Sequence, residues 1–145
     1  MSLLDALRTS ASGLSAQRMR MNLISNNLAN IETTKTPEGG PYRRKDAVFE
    51  SNPQYSDFND VLSSRLGPDR IEVQVTQIRD DNRPPIQKYD PGHPDADEEG
   101  YLYMPNINMV EEMVNMMSAT RSYEANVTAI RSTKEMASSA IEIGR

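Results

Sequence analysis

The chain has no cysteine and no tryptophan, one histidine, two phenylalanines and seven glycines in 145 residues. Without cysteine there is neither a disulfide framework nor a thiolate metal site. Its sole histidine, His93, lies between Gly92 and Pro94 with no serine nucleophile motif around it, and no glycine loop of phosphate-binding form occurs. No run approaches the eighteen or so apolar residues of a membrane span. The first residues also lack a secretory signal, because Asp5, Arg8 and Ser10 interrupt Leu3, Leu4 and Leu7. Basic charge is short too. A formal net charge of -5 opposes nonspecific nucleic-acid binding, which needs a basic surface to displace counterions. Hydrophobic residues make up only 37%, and the mean hydropathy is -0.67. No catalytic residue, cofactor or metal is expected.

What is present is unevenly spread. All nine prolines fall between Pro37 and Pro105, as do seven of the eight aromatic residues, Tyr123 being the exception. Residues 32–104 carry nine basic against fifteen acidic side chains, whereas residues 1–31 carry three against one and residues 105–145 four against five. The expected organisation is therefore a helix over residues 2–31, a proline-rich insert over 32–104, and a second helix over 105–145. The fold class that follows is mainly α. Two long terminal helices pack as an antiparallel coiled-coil pair, with a small β-containing insert between them.

The C-terminal helix organises this reading. Met109, Met113, Met116, Thr120, Tyr123, Val127, Ile130, Lys134, Ala137 and Ile141 follow in 4-3-4-3 spacing, the heptad pattern of a helix that packs along a partner. At about 1.5 Å per residue it would be roughly 50 Å long. Thr120, Tyr123 and Lys134 break the apolar stripe, so the seam is not a self-sufficient zipper. Methionine dominates its start, with Val110, Val114 and Met117 alongside; such flexible side chains suit a surface that meets more than one neighbour. An ordinary amphipathic core helix is the plainer reading of the same spacing. In the N-terminal helix Leu4, Leu7, Ala11, Leu14, Met21 and Leu28 keep a matching register, interrupted by Arg18 and Ser25. Asn26 and Asn30 lie four residues apart on one face. They either fix register when buried or mark a fraying helix end.

Between the helices, Pro37 and Gly39-Gly40-Pro41 turn the chain. Residues 42–50 read as a strand whose basic triplet Arg43-Arg44-Lys45 forms a solvated face. A short helix is expected over 56–66. Ile71, Val73 and Val75 alternate with polar residues as a half-buried strand, and Ile86–Tyr89 are expected to pair with it. Tyr101-Leu102-Tyr103 is strand-like. Asp95, Asp97, Glu98 and Glu99 lack the order of a calcium loop and read as an exposed acidic stretch. The sequon Asn126-Val127-Thr128 falls in mid-helix and is discounted.

Several of these stretches carry a resemblance. Asn26-Asn27-Leu28-Ala29-Asn30 closing a helix, with Tyr42-Arg43 after a Gly/Pro turn, resembles the N-terminal pattern of the bacterial flagellar axial proteins of rod and hook. Tyr89-Asp90-Pro91-Gly92-His93-Pro94, then Gly100-Tyr101, Met104-Pro105-Asn106 and Arg121-Ser122-Tyr123-Glu124-Ala125-Asn126, narrow it to the FlgC-type proximal rod subunits. The resemblance covers about residues 2–50 and 86–145. It implies a structural subunit of the proximal rod, without catalysis or cofactor, exported by the flagellar type III apparatus without a cleaved signal. Assembly in the periplasm would join it to further copies of itself and to other rod proteins: proximal neighbours, the distal rod, and the adaptor at the rod base next to the MS ring and export gate. The rod so formed would carry torque from motor to hook. Two other classes stay open beside it. One is a self-contained coiled-coil adaptor, and the other a cation-dependent protein using the Asp95–Glu99 loop.

Overall fold

A computed structural model describes residues 3–53, 62 and 71–144. Two long helices frame two small antiparallel sheets: α1 (Leu3–Ala29), β1 (Lys45–Pro53), β2 (Ile71–Asp80), β3 (Ile86–Tyr89), β4 (Tyr101–Met104) and α2 (Met109–Ile143). The short helix expected over 56–66 lies, apart from Leu62, outside the described residues.

Each helix has visible causes for its limits. At the start of α2, Asn108 is extended, and its side chain accepts from the amides of Val110 and Glu111, while Glu111 and Glu112 place acids in the first turn. This satisfies amides that a helix N-terminus leaves unpaired and suits the helix dipole. The helix ends where Gly144 donates back to the Ala140 carbonyl. At the end of α1, Asn30 closes the last turn by donating its side-chain amide to the Asn26 carbonyl at 2.8 Å. The turn beyond it uses Gly39 and Gly40 at φ +92° and +77°, a region open to glycine at little cost.

The helices lie side by side, and contacts descend on α2 as they ascend on α1. Gly13 faces Asn126, Thr120 Oγ1 approaches Met21 Sδ at 3.7 Å, and Asn27 meets Glu112. Any Cβ added at Gly13 would stand 3.0 Å from the Asn126 amide nitrogen, so the glycine is what permits this approach. The inward faces are not the expected apolar stripes. On α1 the buried residues are Ala16, Leu23, Ile24 and Asn27; on α2 they are Glu112, Ala119 and Thr133. Leu7, Leu14, Met21 and Leu28 are half-buried, as are Met116, Thr120, Tyr123, Val127, Ile130 and Ala137. Leu4, Ala11, Met109, Met113, Lys134 and Ile141 are exposed. The packed face is thus rotated about one residue from the heptad expected, because small and polar residues allow closer approach than methionine does.

Strand pairing also differs from expectation. β2 pairs with β1, from Lys45 opposite Asp80 to Pro53 opposite Ile71, with a bulge at Val48/Phe49. The expected partner of β2, Ile86–Tyr89, pairs instead with β4, from Ile86 opposite Met104 to Tyr89 opposite Tyr101. The five residues between β2 and β3 are the shorter connection, so loop length does not decide the pairing. The longer loop from Asp90 to Gly100 is held by its own bonds, the Asp90 amide to the Gly100 carbonyl and the Asp97 amide to the Tyr101 carbonyl among them. The β1–β2 hairpin packs on α1, where Ser12 Oγ accepts from the Val73 amide at 3.1 Å and donates to the Thr9 carbonyl at 2.8 Å.

Candidate functional site

The most heavily bonded place in the molecule is the junction where α1 ends, β1 begins and α2 starts. The two largest fully buried side chains are there, Asn27 at 0% and Glu112 at 1% exposure. Both are polar, and burial of such groups is tolerable only when each finds partners. Asn27 finds all four that its amide can take. Its Nδ2 donates to the Lys45 carbonyl at 2.9 Å and to Glu112 Oε2 at 3.1 Å. Its Oδ1 accepts from the Lys45 amide at 2.9 Å and from Tyr42 Oη at 3.1 Å. Glu112 completes the set by accepting Arg44 Nε on Oε1 at 2.8 Å, and Arg44 reaches Asp46 with its other end at 3.3 Å.

This corrects two expectations. Arg44 is no solvated cation: its side chain is 15% exposed and clamped between carboxylates, although Arg43 and Lys45 beside it are exposed. The buried amide is Asn27, whereas Asn26 is exposed and Asn30 serves its own helix end. Electrostatics follow the geometry. Burial raises the Tyr42 hydroxyl above its ordinary pKa, and the carboxylates of Asp80 and Glu112 push it the same way. For Arg44, burial acts to lower the pKa, but the bond to Glu112 and the charges of Glu112 and Asp46 outweigh it, and the guanidinium is held above its ordinary value.

The remaining motif residues also build local structure. Tyr89 and Tyr101 close the β3–β4 hairpin edge to face, with ring centroids 5.4 Å apart. Between them, Asp97 Oδ1 accepts from the amides of Glu99 and Tyr101, His93 Nδ1 accepts from the Asp95 amide, and the Asp90 amide donates to Gly100. Gly100, at φ +81°, has Pro91 and Tyr89 3.1 Å from where a Cβ would stand. The loop is pinned to the first turn by Thr34 Oγ1, which donates to Asp95 Oδ2 at 2.8 Å, and Pro94 lines the cleft beside that contact. Pro105 is buried, and Asn106 donates to the Pro84 carbonyl at 3.2 Å. On α2, Arg121 is exposed and Tyr123 half-buried; Ala29 on α1 is exposed.

A cleft of about 190 Å³ beside the junction is lined by Tyr42, Arg44, Arg83, Pro84 and Pro105 among others, and offers no pairing of nucleophile and base. What the molecule does offer outwards is an apolar helix face. Met109, Val110, Met113, Val114 and Met117 stand exposed on α2, Val114 by 53% and Val110 by 69%.

Comparison with known proteins agrees with that picture. Residues 98–143 match the family described as flagellar basal body rod FlgEFG protein C-terminal, and residues 7–35 match the flagella basal body rod protein family. The flagellar basal-body rod protein FlgC of Borreliella burgdorferi is 45% identical, over 99% of this chain and 98% of its own length. That of Bacillus subtilis is 43% identical over the whole of both chains, and that of Escherichia coli 37%. The chain belongs to the FlgC family of flagellar basal-body rod proteins.

Membership in the FlgC family makes this a structural subunit of the basal-body rod, located in the flagellar basal body and associated with other rod components. Within such a subunit the junction is the part that sequence reasoning missed. A signal for Asn27 was available: Ala16, Leu23 and Asn27 continue one helical stripe, so Asn27, and not Asn26 or Asn30, lies on the buried face. For Arg44 and Glu112 there was none, since their partners lie 68 residues apart.

Proposed function

We propose that this rod subunit polymerises through its two terminal helices, packed as an antiparallel coiled coil, into the proximal part of the rod. The observation that carries the reading is the uncovered stripe from Met109 to Met117, which no other part of the described chain covers. An exposed apolar stripe of this kind marks a surface that meets another protein. The seam residues of the two helices, Leu4, Leu7, Ala11, Leu14, Met21 and Leu28 with Met109, Met113, Met116, Thr120, Tyr123, Val127, Ile130, Ala137 and Ile141, are its assembly surfaces. Residues 2–31 and 105–145 supply the helices, and residues 32–104 form a small outer domain.

The subunit is exported by the flagellar type III apparatus without a cleaved signal and assembles in the periplasm. Its neighbours there are further copies and other rod proteins, including the distal rod and the base adaptor. Contacts that repeat head to tail without closing give a shaft rather than a ring, and a shaft transmits torque. Chemistry is not part of the role.

Complementation of a strain lacking the gene tests this. Val114→Asp leaves the single chain folded, because Val114 is exposed there, but buries an unpaired carboxylate in every repeated contact, at a cost of several kcal/mol. Secretion of the subunit should persist while basal bodies and swimming are lost. Ile130→Asp, on the half-buried seam, should abolish assembly as well. Glu98→Lys, in the outer loop, should be tolerated. A swimming Val114→Asp strain, or a loop variant that is the more damaging, would overturn the reading.

A further inference from the structure

We infer that the junction of Asn27, Arg44 and Glu112 is a register lock, the device that selects one alignment of the terminal helices and fixes the β1–β2 hairpin to it. The apolar part of the seam is a weak guide to register. Beside the buried Leu23 and Ile24, it is lined by the small residues Gly13, Ala16, Ala119 and Thr133, with Asn126 seated against Gly13. A slip by one heptad would set Gly13 opposite Ala119 in place of Asn126, so the small positions alone do not exclude it. One direction of slip also brings Arg20 opposite Glu112, an ion pair that would reward the wrong alignment.

The junction removes that freedom. Only the observed alignment brings Asn27 within 3.1 Å of Glu112 while both Lys45 peptide groups reach the Asn27 amide. In any slipped alignment Asn27, Arg44 and Glu112 cannot all be satisfied, and buried polar groups without partners are costly. A single buried asparagine sets register in helix pairs by the same logic. Here the lock extends further, because Arg44 and Lys45 belong to the strand. Hairpin position and helix register are selected together.

The chain has no cysteine, so spin labels can be placed cleanly at Ser25→Cys and Ser118→Cys, two exposed sites near the junction. With the junction intact, the full-length chain should give one narrow distance distribution. In the background Asn27→Leu, Arg44→Met, Glu112→Leu, which removes the polar groups but keeps their bulk, circular dichroism should retain its helical signal. The distribution should broaden or split, from helices displaced by a heptad, about 10 Å along the axis. A junction that merely adds stability would lower the melting temperature and leave the distance narrow and unchanged, and that result overturns the proposal. Should the triple variant lose its helical signal, Glu112→Gln is read the same way. Asn27 and Arg44 donate to different oxygens of Glu112, and glutamine turns one of those acceptors into an NH2 donor facing a donor, so broadening supports the lock and an unchanged narrow distribution refutes it.

Discussion

At one end of the helix pair, Asn27 and Glu112 are buried with each polar atom matched, and two helices and a strand meet within hydrogen-bonding distance. At the other end, Leu3 and Leu4 on α1, with Met136, Ile141 and Ile143 on α2, lie open to solvent, Ile143 by 86%. The first end has a polar, closed inner junction with the open Met109–Met117 stripe on its outer side; the second is apolar and open. Apolar residues are buried too, Leu23, Ile24, Leu102 and Ile107 among them, but the two largest fully buried side chains among the described residues are polar. This arrangement is coherent for a subunit whose apolar surface is completed by neighbours. Buried polar groups hold the chain's own shape, while part of its hydrophobic surface stays open.

The largest effect that would sharpen this contrast comes from Glu112→Leu alone. Removing one partner of a buried charge pair strands the other, and about 3–5 kcal/mol of stability should be lost. By comparison Ile141→Ser, at the open end, should change the stability of the single chain by no more than about 0.5 kcal/mol. Urea unfolding of both variants checks the ratio, and equal losses would erase the distinction between the ends.

Hydrogen exchange on the purified chain should show the same gradient along each helix. Ordering the backbone costs about 1–2 kcal/mol per residue, so amides in residues 3–10 and 134–143 should exchange well before those in 20–29 and 110–120. Uniform protection would show that the open end needs no neighbour.

Smaller effects separate the junction from its surroundings. Asn30→Leu removes two side-chain bonds at the end of α1, to the Asn26 carbonyl and from Thr33 Oγ1, and should cost about 1 kcal/mol, as should Ser12→Ala, which deprives the Val73 amide of its acceptor. Chemical denaturation of the two should give similar values, both well below the loss caused by Asn27→Leu. A still smaller effect is pH-dependent. The folded state raises the pKa of Tyr42 above its ordinary 10.0, chiefly by burial. Stability tied to the neutral hydroxyl is therefore complete below pH 10 and lost as pH rises through the raised value. The unfolding midpoint should fall over that alkaline range in the parent and fall less in Tyr42→Phe.

The helices, three of the four strands near their true limits, and the family were legible from the sequence, because periodicity and local motifs are local signals. Two misjudgements and one missed contact have one physical origin. Adjacency in sequence chose β3 as partner of β2, charge alone sent Arg44 to solvent, and the heptad spacing of Met109 and Met113 gave no sign that Glu112 beside them faces inward. In each case the deciding interaction joins residues distant along the chain: Arg44 with Glu112, Asn27 with Lys45, Lys45 with Asp80. A heptad pattern fits two adjacent stripes almost equally well when one is methionine and valine and the other alanine, threonine and a satisfied glutamate. The methionine-rich stripe, expected to suit more than one neighbour, is the one turned outwards.

The bonds between Asn27 and Lys45 have one more consequence. A two-stranded sheet leaves an unpaired edge on each strand, open to any extended chain that would add to it. With one side-chain oxygen on the Lys45 amide and one side-chain nitrogen on the Lys45 carbonyl, Asn27 bonds β1 as a neighbouring peptide group would, on the side away from β2. The helix thereby supplies a single rung of sheet and covers the start of that edge, where an added strand would otherwise begin to pair.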